Sequence, residues 1–238
     1  MSGLSSWWAE VVSDFVKCFI TDDRYKLLIS GTGVTLKISL LSVILGILIG
    51  LLIALCALSK RKVLRAIAKV YTDIIRGTPS VTQLMIIYFV IFASVNLPKW
   101  IIASIAFGIN SGAYVSEIIR GGILSIDRGQ TEAGRTLGLS GAQTMIHIVI
   151  PQATKNIFPS LCNEFIVLIK ETAIVGYVGL MDIQKAGDFI KSATFQAFMP
   201  LIATAVIYFV IIKILTLLLG VVEKKLRASD RNYNYDKR

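Results

Sequence analysis

Two kinds of apolar pattern alternate along this chain of 238 residues. Near the start, Trp7, Trp8, Val11, Val12, Phe15, Val16, Phe19 and Ile20 recur as pairs every four residues, with Glu10, Ser13, Asp14 and Lys17 opposite, which is the period of an amphipathic helix. Its tryptophans suit a membrane interface. A cleavable leader would begin with basic residues and carry no acids in its apolar stretch. The second pattern is continuous. Residues 38–59, 77–98, 100–116 and 192–212 contain no charged side chain, and each approaches the roughly 20 residues a helix needs to cross hydrocarbon.

A fifth apolar stretch, 157–181, contains Glu164, Lys170 and Glu171. Counting it as a span keeps the flanking loops on opposite sides and leaves no strongly apolar segment in water. The pattern therefore predicts an all-α membrane protein with five transmembrane helices, an N-terminal interfacial amphipathic helix over 1–30, a membrane body over 31–222 and a tail over 223–238. Within the first span Ser42, Gly46, Gly50 and Ala54 recur every four residues, a stripe that lets another helix approach closely.

Composition strengthens this picture. With 55% apolar residues, the chain is too greasy for a water-soluble fold of its size. The net charge of +10 sits in loops rather than on one folded face, which argues against nucleic-acid binding. Loops at 60–76, 120–155 and 224–238 hold sixteen Lys and Arg, and the alternate loops hold six. The positive-inside rule makes the first set cytoplasmic, with the N-terminus outside and the C-terminus inside. Cys18, Cys56 and Cys162 lack metal-ligand spacing, and His147 is the sole histidine, so neither a metal site nor a catalytic triad can be assembled.

The longest inward loop, about 120–156, is expected to contain structure of its own. Asp127 with Gln130, and Ser140 with Gln143, have capping-box spacing; Gly138 suits the end of a first helix and Pro151 the end of a second. At the entry to the second span, Thr78 is placed to cap and Pro79 to occupy the first turn. The expected product at about 127–151 is a cytoplasmic coupling helix-turn-helix, able to transmit a push as a rigid body.

This loop carries a family resemblance. Glu132, Ala133 and Gly134, then Gly138, then Ile148, Ile150 and Pro151 resemble the EAA loop of ABC importer permeases, with Gly134 where a second alanine is usual and Ile150 where leucine is usual. Stretches at 33–42, 76–79, 112–122, 129–133 and 163–166 are similar to those of the polar amino acid subfamily, and the match covers about residues 25–222. The resemblance implies a type I importer in the bacterial cell membrane. Two permease subunits, identical or closely paralogous, would surround the pathway, with two ABC ATPase subunits docked on the EAA loops and an extracytoplasmic amino-acid-binding protein. Glu132, Ala133, Gly134, Gly138 and Leu139 would couple to the ATPase. No Walker A pattern occurs in the chain, so it would be no enzyme and need no cofactor.

The charges in the fifth stretch leave two readings open. Glu164 and Glu171, seven apart, share one helical face, with Lys170 turned about 100° away. In the first reading Asn163, Glu164, Lys170, Glu171 and Thr172 line the substrate pathway, with Glu164 meeting an amino acid's ammonium. In the second these charges hold helices together through internal pairs or sit near the wet ends of a short span. Glu117 and Arg120 are spaced to pair with each other. A membrane scaffold or channel is the rival class of function, and it has no use for a cytoplasmic elbow.

Overall fold

A computed structural model describes the backbone of residues 2–235 and the side-chain surroundings of residues 6–225. Every regular element among them is helical. In chain order these are α1 (Ser2–Phe15), α2 (Tyr25–Leu58), α3 (Lys62–Arg76), α4 (Ser80–Ile86), α5 (Lys99–Leu124), α6 (Arg128–Thr136), α7 (Gly141–Thr144), α8 (Ile150–Glu171), α9 (Ile183–Thr194) and α10 (Phe198–Tyr235). Three of them, α2, α5 and residues 198–225 of α10, are long and apolar enough to cross a membrane. The pair α3 and α4, with the π turn Ile87–Ile91, makes a fourth candidate bent by 104°.

The centre of the molecule is α2 packed on α5. A bilayer offers apolar side chains no gain in burial, so two helices associate there through close backbone approach. The small-residue stripe provides it. Ser42, Gly46, Gly50 and Ala54 are all buried, and a methyl group on Gly50 would come within 2.5 Å of Val115. The arrangement is reciprocal, since Gly108 and Gly112 on α5 receive Leu45 and Ile49 of α2. Around this pair, Leu84, Ile87, Phe107, Leu168 and Val175 close the largest apolar cluster.

Several local expectations are corrected. The run at 192–212 is not one helix: α9 ends at Thr194, Phe195 takes a left-handed conformation with φ of 57°, and α10 begins at Phe198. The run at 77–98 is helical only from Ser80 to Ile91. Thr78 does not cap α4; its hydroxyl donates back to Ile74 O at 2.9 Å, finishing α3, while Pro79 occupies the N-cap position. In the stretch 157–181, α8 gives way after Glu171 to the tighter 3-10 helix Thr172–Val178.

Pro151 does not end the second loop helix either. Met145–Val149 forms a π turn, and the chain runs from α7 through it into α8 without a break. The wider turn changes the hydrogen-bond register just where proline has no N–H to give, and Pro151 then falls in the first turn of α8, a position proline tolerates. The helix-turn-helix is therefore α6, a turn, and the N-terminal extension of α8 itself.

The N-terminal segment is helical, as its period predicts, through α1 and the π turn Val16–Ile20, but the helix does not run on to residue 30: Asp22 and Asp23 take φ of 57° and 55°, and α2 begins at Tyr25. Cys18 and Phe19 are buried against Leu28, Ala186 and Ile190, while Trp7, Trp8, Val12 and Phe15 stay exposed.

Candidate functional site

The elbow is defined by how α6 starts and stops. Asp127 accepts a hydrogen bond from Gly129 N at 2.6 Å and caps α6. Gln130 does not reach back to complete a box; it accepts from Gln152 Nε2 at 3.3 Å and ties α6 to α8. At the other end Gly138 has φ of 83°. Gly138 N donates to Arg135 O and Leu139 N to Gly134 O, each at 3.1 Å, the two bonds of a Schellman ending. Arg135 also donates to Leu139 O across the turn at 2.8 Å. Ser140 and Gln143 form the reciprocal box that starts α7.

Gly134 makes the two arms meet. It is buried, and a methyl group there would lie 2.8 Å from Thr144 Cγ2 and 2.9 Å from Ile148 Cδ1. The glycine that replaces the usual alanine is thus the contact point between α6 and the second arm. Glu132, Ala133 and Gly138 are exposed and Leu139 is half-buried. Beside them Leu137 is 80% exposed, an apolar knob on a rigid corner that spacing did not single out.

The charged stretch lies farther along the same helix. Glu164 and Glu171 are half-buried, Asn163 and Lys170 exposed, and Thr172 fully enclosed, its hydroxyl donating to Ile169 O at 2.7 Å. Glu164 accepts from Ser111 Oγ of α5 at 2.9 Å. That bond uses one carboxylate oxygen and fixes the group's orientation. Glu117 and Arg120 form the expected pair, 2.7 Å at its shortest.

Polar contacts between helices add residues that the charge pattern passed over. Asn110 Nδ2 donates to Gln83 Oε1 at 2.8 Å, joining α5 to α4. Gln83 Nε2 in turn donates to Ile75 O and Thr78 Oγ1, at 2.7 and 2.6 Å, which secures the bend between α3 and α4. Tyr71 donates to Ile109 O at 2.6 Å. Asp182, completely buried, caps α9 by accepting from Lys185 N at 2.9 Å and also accepts from Tyr208 of α10 at 3.2 Å. Apart from Tyr71, which lies in the charged segment 60–76, each such residue is a polar side chain within or bordering an apolar run, and that placement was the available signal. Among the described residues no group of His, Cys, Asp and Glu is placed to hold a metal.

Comparison with known proteins identifies the family and the fold. Residues 46–228 match the family described as binding-protein-dependent transport system inner membrane component. A putative glutamine transport system permease protein of Rickettsia bellii is 43% identical over 204 residues, covering 85% of this chain and 94% of the relative. The arginine transport system permease protein of Bacillus subtilis is 42% identical over 212 residues, covering 88% and 97%. A crystal structure of an amino acid ABC transporter with histidines superposes with a TM-score of 0.80 at 44% identity, over 87% of this chain and 98% of that one. An inward-facing MetNI methionine ABC transporter, 18% identical over 84% and 96%, shares the fold with a TM-score of 0.73.

Proposed function

The chain belongs to the family of inner membrane components of binding-protein-dependent transport systems and is the permease subunit of an amino acid import system, and from that premise we propose that it carries substrate by alternating access, driven through the α6–α7 elbow by a separate ATPase. In this reading two ATPase subunits dock on two permeases, identical or paralogous, and an extracytoplasmic protein delivers the amino acid. The chain crosses the bacterial cell membrane five times, α8 with its 3-10 extension being the span its charges disguise. The N-terminus is outside, the elbow and C-terminus inside.

The observation that carries this reading is the unbroken backbone from α7 to α8. Glu132 and Gly138 belong to the arm packed on that helix, and Glu164 lies within it, about 21 Å from Ile150 along the axis. A push on the elbow moves α8 as one body, and with it the carboxylate that meets the substrate's ammonium. Asn163 and Lys170, exposed on the same helix, contribute further polar surface to the pathway. Thr172, being enclosed, contributes by holding the start of the 3-10 segment.

Two substitutions separate docking from translocation. Glu132→Lys is expected to leave membrane insertion intact and to lose the co-purifying ATPase. Glu164→Gln keeps an oxygen for Ser111, so the fold and docking should persist while uptake into proteoliposomes falls. Normal uptake by both variants would refute the proposal.

A further inference from the structure

At the end of α8 away from the elbow, the chain passes through the 3-10 segment Thr172–Val178, turns at Gly179 with φ of 74° and enters α9. A cavity of about 480 Å³ is lined by Ala173, Gly176 and Tyr177 of the 3-10 segment and by Gln184, Lys185 and Asp188 of α9. Ligand pockets run from about 300 to 1,000 Å³, so one amino acid fits. Each wall buries its opposite side: Thr172, Val175 and Val178 on the first, Ile183, Ala186, Gly187 and Ile190 on the second. The lining residues are those left facing outward from two anchored helices.

The cavity holds one charge of each sign, and the two are not bonded to each other. Lys185 and Asp188 are three apart on α9, which puts their Cβ atoms about 5–6 Å from one another on one face. Asp188 Oδ1 instead accepts from Lys191 at 2.8 Å, a partly exposed and therefore weak pair. Among the described residues Lys185 makes no ion pair. Gly176 accounts for its position. A methyl group on that glycine would lie 3.2 Å from Lys185 Cδ, so the missing side chain leaves room for the lysine stem against the 3-10 wall. What remains open to a ligand is an ammonium and the second carboxylate oxygen of Asp188. An amino acid carries the complementary groups on a single carbon, a carboxylate for Lys185 and an ammonium for Asp188. The Tyr177 ring, 66% exposed, leaves an aromatic face for its side chain.

We propose that this cavity is an outer station for the transported amino acid, with Lys185 on its carboxylate and Asp188 on its ammonium. Glu164 precedes Gly176 by seven α-helical and five 3-10 residues, about 20 Å of helix. One amino acid cannot touch both places, so the substrate is held twice, first between Lys185 and Asp188 and then at Glu164. The inference rests on the transport reading, and the experiment separates the two. The complex with its ATPase is placed in nanodiscs without binding protein, and saturation-transfer NMR measures its affinity for L-glutamine and L-arginine. Glu164→Gln removes the inner carboxylate, so binding that persists in this variant reports the outer station.

The α-amide of each probe lacks the carboxylate, and the N-acetyl form lacks the ammonium. Each should bind the Glu164→Gln complex about fivefold more weakly than its parent, the factor that follows from about 1 kcal/mol for one exposed ion pair. Adding Lys185→Gln should weaken the parent amino acids about fivefold and remove most of the penalty on the α-amide, leaving that on the N-acetyl form. Adding Asp188→Asn should do the reverse. Lys185 is exposed and Asp188 partly so, and neither change alters the buried face of α9. An α-amide penalty that survives Lys185→Gln, or no saturable binding to the Glu164→Gln complex, would overturn the proposal. Wild-type uptake in proteoliposomes alongside either result would show that the transport reading stands without it. Loss of binding-protein docking in Lys185→Gln with amino acid affinity unchanged would also overturn it, because the surface would then belong to that protein.

Discussion

Replacing Gly138 isolates the mechanical role of the elbow. The residue has φ of 83°, and a methyl group built on it would meet nothing within 4 Å, so no packing term enters. What a side chain costs is conformational: an L-residue in the left-handed region loses about 1–2 kcal/mol. Gly138→Ala should therefore lower the ratio of closed to opened turn by about 5- to 30-fold. Gly138→Val should cost more, because β-branching restricts the backbone further, and Gly138→Asn less, because asparagine tolerates this region. Amide hydrogen exchange supplies the readout. The N–H of Leu139, bonded to Gly134 O at 3.1 Å, is protected only while the turn is closed, so its exchange should quicken by the same factor. Substrate-stimulated ATPase activity of the reconstituted complex should fall in the same order, from glycine through asparagine and alanine to valine. Equal behaviour of the asparagine and valine variants, or an unchanged Leu139 amide, would refute the reasoning.

Gly134→Ala sets two effects against each other. Helix propensity gains about 1 kcal/mol, whereas crowding against Thr144 and Ile148 costs about 1–3 kcal/mol, so the net change should destabilise the elbow. Thr144→Ser removes the offending methyl and keeps the hydroxyl that donates to Ser140 O at 3.0 Å, and in the double variant it should recover most of the loss in thermal unfolding. Asp182→Ala should strip the cap of α9, about 0.5–2 kcal/mol, and leave the Tyr208 hydroxyl without its acceptor. Asp182→Asn keeps an acceptor oxygen and should unfold at a temperature nearer wild type, and the same melting temperature for both variants would remove the capping argument.

What the sequence determined alone was the small-residue seam, two of the helix ends in the elbow and the family. The stripe at Ser42, Gly46, Gly50 and Ala54 was legible because a period of four has one meaning on a helix, and the structure buries all four positions. The Ser140 and Gln143 box and the left-handed Gly138 were legible because each satisfies helix-end groups within a few residues. The elbow's kinship was legible through Glu132, Ala133 and Gly138 at their spacing.

Tertiary structure decided whatever depended on contacts between distant residues. Pro151 reads as a stop because proline breaks a regular α-helix, yet a π turn upstream absorbs the missing donor and lets the helix continue. Thr78 reads as a cap, but Gln83 and the 104° bend draw its hydroxyl toward Ile74. Glu164 was visible as a charge in an apolar run, while its partner Ser111 lies 53 positions away and only the packing of α8 on α5 could reveal it. Asp182 and Tyr208, like Asn110 and Gln83, belong to the same class: a polar group in a nonpolar interior must find a partner, and nothing local states which one.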